Sequence, residues 1–282
     1  MLEVIVFICG AVVMILEMVG SRILAPYLGT SIVIWTSLIG VILGCLSLGY
    51  WLGGRIADRK PHYRVLSRII LASGILVAAI ALSKSFVLRA LQQYGGTIHV
   101  ASTAATVVLF APPSILLGMV SPYAVRLKIK NLDNSGRTVG NLYAISTAGS
   151  IFGTFFAGFF LIAFLGSTNI ILVLSLVLAG ASLLTSSGER WVKVAAVTLF
   201  SLLLLAAEVY DAHLASLGFH DMDTQYNRIL IYPSVDNATG RKTRVMVTGP
   251  KAQQSAMYLD DPVALALSYR GSTTWHHTSS LR

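Results

Sequence analysis

Glu17 and Arg22 stand in or beside an apolar run that reaches from about residue 2 to residue 28. Ionisable groups at membrane depth are costly and tend to mark a pathway or an internal pair. Five positions apart, the two occupy different faces of a regular helix, so each is expected to find its partner on another helix. A structural ion pair with charged ends reaching for the interface and a role in transport both stay open. A second concentration of charge closes a glycine-rich run: Arg55, Asp58, Arg59 and Lys60, followed by Arg64 and Arg68. Read from the residues alone, this is a positive-inside stop with one compensating acid. Arg126 opens a third basic stretch with Lys128 and Lys130. Cys9 and Cys45 lie inside apolar runs and read as small packing residues, with no disulfide and no metal site; no cofactor is implied.

These residues must be positioned by membrane helices. Hydrophobic residues make up 55% of the 282-residue chain and charged residues 12%, with a mean hydropathy of +0.73. Soluble domains carry about 25% charge, so most of this chain cannot face water, and its partner is the lipid bilayer. The net charge of +9 does not indicate nucleic acid, because the bases sit between apolar spans as topology determinants. Seven spans are expected, at roughly 2–28, 31–54, 65–83, 100–125, 139–165, 167–186 and 192–209. The first lacks the basic leader of a cleaved signal and should be retained. Pro112 and Pro113 predict a kink or a short unwound segment in the fourth.

Charge sets the orientation. One set of loops holds Arg55, Arg59, Lys60, Arg64, Arg68, Arg126, Lys128, Lys130, Arg137, Arg190 and Lys193; the other holds only Arg22, Lys84 and Arg89. The N-terminus is therefore expected in the cytoplasm, and seven crossings put residues 210–282 outside. A count reduced by one, most easily at the short turn between 139–165 and 167–186, would reverse that end. Gly40-xxx-Gly44, Cys45-xxx-Gly49-xxx-Gly53 and Gly149-xxx-Gly153-xxx-Ala157 are small-residue stripes on which a second helix backbone can approach closely. They suit ordinary packing or a sliding surface.

After residue 209 the character changes. Arg228–Tyr232, Arg244–Thr248 and Ser255–Leu259 are short strand-like runs punctuated by Gly240 and Gly249-Pro250, the pattern of a small β-meander. The chain thus divides into a helical membrane domain (1–209), a β-domain (210–270) and a tail (271–282) expected to be disordered.

The Gly54–Arg64 loop, G-x-x-x-D-R-x-P-x-x-R, is similar to the loop between the second and third helices of the major facilitator superfamily. Gly54, Asp58, Arg59 and Arg64 match, and Pro61 replaces a glycine. In that family the acid is thought to pair with helix ends and bases and so latch one conformation. A longer resemblance covers residues from about 14 to about 269. It runs through E-M-V-G-S-R-I-L-A-P-Y-L-G-T-S from Glu17, P-P-S-I-L-L-G-M-V-S-P-Y-A-V-R-L from Pro112, and G-N-L-Y-A-I-S-T-A-G-S-I-F-G-T from Gly140. The chain resembles bacterial fused major-facilitator/spermidine-synthase membrane proteins, in which a helical membrane domain precedes a synthase-like domain. That resemblance implies an all-α transmembrane bundle, a major-facilitator-like half with a short C-terminal β-meander, a bacterial inner-membrane location and a link to polyamines.

In the same resemblance, the segment around Tyr226 and the pair Gln254-Ser255 with Asp260-Asp261 stand where the synthase lines its amine and nucleoside site; this implies substrate-binding roles for Tyr226, Gln254 and Asp261. The synthase's Y-H-E is absent, since Arg270 and Gly271 follow Tyr269, and so is its G-G-G-D-G nucleotide loop. No catalytic residue is therefore assigned, and this chain alone is expected to be inactive as an aminopropyltransferase, as a truncated or frame-shifted product would be. Two further readings stay open: a transporter-like module for polyamines or another small cation, and a membrane scaffold binding a soluble partner. A homo-oligomer is compatible with each.

Overall fold

A computed structural model describes residues 1–94, 96–129, 135–185, 188–223, 228–236, 239–248 and 253–261. The expected tail 271–282 lies outside these residues. Among the described residues, seven helices are long and apolar enough to cross a membrane. They are α1 (Leu2–Leu28), α2 (Ile32–Arg59), α3 (Tyr63–Tyr94), α4 (Ile98–Lys128), α5 (Ser135–Phe156) continued by a π-helical turn (Ala157–Leu161) into the short α6 (Ile162–Phe164), α7 (Ser167–Thr185) and α8 (Arg190–Ser216). All seven expected spans are present, and the protein is a multi-pass membrane protein.

α1 is the hub: Ile5, Val6, Val12, Leu16, Val19, Ile23 and Leu24 are buried among residues of α2, α3, α4 and α7. The tightest seams are α2 on α4, α1 on α5 and α3 on α7. By contrast α2, the α5 span and α8 keep most of their surface uncovered. Leu43, Trp51, Phe155, Phe159, Leu202 and Leu205 are exposed there. Apolar side chains turned outward in this way suit hydrocarbon as their solvent.

Glycine explains two of the seams. A Cβ on Gly49 would stand 2.3 Å from the Ile115 carbonyl oxygen, and one on Gly53 would stand 2.6 Å from Met119 Cα. On the α1–α5 seam, Gly149 would meet the Phe7 carbonyl oxygen at 2.1 Å and Gly153 that of Ala11 at 2.5 Å. Backbones approach this closely only where side chains are missing. Gly40 and Gly44 differ from the expectation, since nothing among the described residues lies within 4 Å of a Cβ at either.

The proline pair also behaves differently from the unwound segment considered above. α4 runs unbroken from Ile98 to Lys128 through Pro112, Pro113 and Pro122. Proline removes a helical N–H and so frees the carbonyl four residues earlier. Here Phe110, Ala111, Pro113 and Ser114 are all buried, and packing against α2 and α3 surrounds the helix where the proline pair interrupts its hydrogen bonds. The irregular turn lies elsewhere, at Ala157–Leu161.

α8 runs seven residues past the expected boundary at 209. It closes at Gly218, whose φ of 83° needs glycine, with the Gly218 and Phe219 N–H groups donating to the carbonyls of Ala215 and Leu214. β1 (His220–Asp223), β2 (Arg228–Val235), β3 (Lys242–Val247) and β4 (Gln253–Tyr258) follow as an antiparallel meander in sequence order. The three expected strands are there, shifted by a few residues, and β1 adds a fourth. Pro233 is tolerated in β2 because β1 pairs no further along it than Ile231. The sheet lies at the end of the bundle opposite Met1.

Candidate functional site

The polar groups gather at the two ends of the bundle and at one point between. The basic end is tied across helices. Arg126 Nε of α4 donates to Asp58 Oδ1 of α2 at 3.1 Å, so the lone acid of the Gly54–Arg64 stretch and one of the candidate bases form an inter-helix pair. Lys128 of α4 pairs with Glu3 of α1, and Arg68 of α3 forks onto Glu189, with Nε to Oε2 at 3.1 Å. That guanidinium holds the Glu189 carboxyl below the usual carboxylate range. The clasp is thus present at neutral pH and weakens as pH falls. Tyr123 of α4 donates its hydroxyl to the Lys60 carbonyl, and the His62 N–H donates to that hydroxyl at 3.3 Å.

Below this layer, Ser67 and Ser182 exchange hydrogen bonds. Each hydroxyl donates to the other's carbonyl at 2.8 Å. Lys193, which is buried, donates to the same Ser182 carbonyl at 3.1 Å. At this end the α2–α3 loop is therefore tied to α4, and α7 to both α3 and α8.

Of the other basic candidates, Arg55 stacks over its own helix's Trp51 ring at 4.3 Å. Arg59 is exposed. Neither joins the Asp58–Arg126 pair.

The opposite end carries a small cavity of about 90 Å³ between α1, α3, α7 and α8. Arg22, Tyr27, Lys84, Thr168, Asn169 and Asp211 are among its walls. Lys84 Nζ donates to Thr168 Oγ1 at 2.5 Å, and Asn169 Nδ2 donates to Glu208 Oε1 at 2.6 Å. Arg22 thus belongs to this outer cluster, while Glu17 is not among the cavity walls. The structure separates the two residues, as their spacing requires.

Glu17 sits near the middle of α1, half-buried, with no hydrogen-bond or ion-pair partner among the described residues. α5 runs parallel to α1, with Gly149 beside Phe7 and Gly153 beside Ala11. Continuing that four-residue step brings the π-helical turn Ala157–Leu161 level with Ile15–Val19, the turn of α1 that holds Glu17. Wide turns of this kind often accompany functional sites.

In the sheet, Gln254 is exposed on β4 and accepts a hydrogen bond from Thr248. Asp261 is exposed just beyond that strand, and Tyr226 lies outside the described residues. The ordered polar cluster is formed instead by neighbours. Tyr258 donates to Asp236 Oδ2 at 2.8 Å, Arg241 lies 4.0 Å over the Tyr258 ring, and Arg241 Nε donates to Asp260 at 2.9 Å. This arrangement fastens the β2–β3 hairpin to the end of β4. Among the described residues no group of three or more His, Cys, Asp or Glu could hold a metal ion.

Sequence reading missed Tyr123, the Ser67–Ser182 exchange, and Asn169 with Glu208. A single serine or tyrosine inside an apolar run carries no signal until its helix neighbours are known. Compared with protein-family models, curated proteins and solved structures, the chain matched none.

If the basic end is a latch, Asp58→Asn should loosen it. An exposed pair of this kind contributes about 0.2–1 kcal/mol, so the melting temperature should move little. Protease cleavage in the α2–α3 loop should become at least twofold faster. Equal cleavage of variant and wild type would reduce Asp58 to a modifier of topology.

Proposed function

We propose that the chain is the membrane module of a spermidine-synthase-like fusion protein, and that it carries a small cationic amine, such as a polyamine, through the bundle. The observation that supports this reading is Glu17, a half-buried carboxylate without a described partner, midway along the central helix. Such a group is expensive in a bilayer and is seldom kept without a task. A carboxylate is also the simplest counter-charge for an ammonium crossing a medium of low dielectric. The polar ties at the basic end supply contacts that a conformational change could exchange.

The purified chain in liposomes should take up labelled putrescine faster than protein-free vesicles, with competition by excess spermidine. Uptake no faster than in empty vesicles would dismiss the reading.

The location that accompanies it is the bacterial inner membrane with the basic end cytoplasmic. In a background of Cys9→Ala and Cys45→Ala, His62→Cys should resist a membrane-impermeant maleimide in intact spheroplasts, and Thr97→Cys should react. The reverse pattern would turn the molecule over, with its sheet on the cytoplasmic side.

A further inference from the structure

The C-terminal half of α2 carries an exposed strip. Gly44, Leu48, Trp51, Arg55 and Arg59 recur at steps of four, three, four and four, so they share one face of the helix. All five are exposed, and among the described residues nothing lies within 4 Å of a Cβ at Gly44. The two arginines stand one turn apart, where Cβ atoms are about 5–6 Å from each other and like charges repel. The Arg55 guanidinium lies 4.3 Å over the Trp51 ring. That ring fixes the guanidinium but offers its N–H groups no oxygen acceptor. Neither Arg55 nor Arg59 has a hydrogen-bond or ion-pair partner among the described residues.

The charge here is not compensated from within. Lys60 adds a further exposed base, and Asp58, which lies between the arginines in sequence, already receives Arg126. The other described acids of this end, Glu3 and Glu189, hold Lys128 and Arg68. A second copy of the chain would bring the same engaged acids, so the strip calls for a partner with an anion of its own. Length and order along the helix point to a lipid. Arg55 and Gly44 are eleven residues apart, about 16 Å at ~1.5 Å per residue, which matches one leaflet, half of a hydrocarbon core of ~30 Å. Trp51 stands next to the charges, at the level where aromatic rings settle in a membrane interface. Headgroup, interface and acyl levels thus follow one another along one face.

We infer that this strip is a binding site for an anionic diacyl phospholipid of the phosphatidylglycerol type, in the leaflet at the basic end. Its phosphodiester accepts hydrogen bonds from Arg55 and Arg59, whose planar forks suit phosphate oxygens. Lys60 adds charge, and an acyl chain runs over Leu48 into the space beside Gly44. A zwitterionic lipid brings an ammonium to the same bases and gains less. The site does not involve Glu17 and stands apart from amine transport.

The test uses the full chain with Trp35→Phe, Trp191→Phe and Trp275→Phe, which leaves Trp51 as its sole tryptophan. In phosphatidylcholine vesicles it is titrated with phosphatidylglycerol or phosphatidylcholine brominated near the head of one acyl chain. Brominated phosphatidylglycerol should quench Trp51 at a mole fraction at least threefold lower. Arg55→Gln with Arg59→Gln should abolish that preference. Arg64→Gln with Arg190→Gln removes as much charge from the same end and should keep it. Equal quenching by the two lipids, or a preference that survives loss of Arg55 and Arg59, would overturn the site. A preference lost equally with Arg64 and Arg190 would overturn it too, reducing it to general surface charge. Glycerol phosphate in solution should not relieve the quenching; relief would make the ligand a soluble phosphate and overturn the lipid. If the single-tryptophan chain does not fold, native mass spectrometry of the chain with its tryptophans intact reads the same preference from the lipid retained, and the same outcomes decide.

Discussion

Gly149→Val should strip the bundle of its α1–α5 seam and yield little folded protein. The new Cβ would lie 2.1 Å from the Phe7 carbonyl oxygen and 3.0 Å from its Cα, and those atoms belong to a helix backbone that has no rotamer to change. The neighbouring contacts offer no local relief, because a Cβ on Gly153 or Gly10 would stand 2.5 Å from the Ala11 and 2.4 Å from the Ser146 carbonyl oxygen. Overpacking a well-filled core costs about 1–3 kcal/mol, and separating two helix backbones along several turns should exceed that range. Gly40→Ala is the matched control: nothing lies within 4 Å of a Cβ there, and alanine favours the helix by about 1 kcal/mol in peptide measurements. Detergent melting curves should show Gly149→Val lowered by many degrees or absent, and Gly40→Ala unchanged or higher. Equal melting temperatures for Gly149→Val and wild type would mean that the seam is not what holds α5.

The glycine stripes show where a sequence can be read and where it cannot. Small residues four apart announce that a helix can be approached closely, yet Gly40-xxx-Gly44 and Gly149-xxx-Gly153 look alike, and among the described residues only the second has a helix against it. The number of the spans was legible because twenty or so apolar residues between polar loops leave few other solutions in a bilayer; their ends were less so, since α3 runs on to Tyr94 and α8 to Ser216, past the expected 83 and 209. The strands were legible for a similar reason, as short alternating runs between glycine and proline breaks. Asp58 and Arg126 stood out as charges, but nothing in their spacing says that α2 and α4 bring them to 3.1 Å. Asn169 was invisible: it is a neutral residue in an apolar span, and its meaning depends on Glu208, nearly forty positions later, arriving on another helix. The π-helical turn at Ala157–Leu161 likewise has no local signature beyond a permissive Gly158.

Glu17→Gln should separate stability from activity more sharply than any other single change. The substitution keeps size and shape while removing a formal charge from the middle of α1. Insertion scales place a charged residue at a helix centre at about 2.5–3.5 kcal/mol. Glu17 is half-buried rather than lipid-enclosed, so it should recover only part of that cost, and the variant should melt at or above the wild-type temperature. Amine uptake should fall at least tenfold, because glutamine offers a hydrogen bond but no counter-charge for an ammonium. Glu17→Asp shortens the reach but keeps the charge, and should retain measurable uptake. Residues that serve only packing do not behave this way: their replacement lowers stability and activity together, whereas functional groups are often kept at a cost in stability. A glutamine variant that transports as fast as wild type would remove Glu17 from the path, and a variant that melts well below wild type would make it a structural residue whose partner remains to be found.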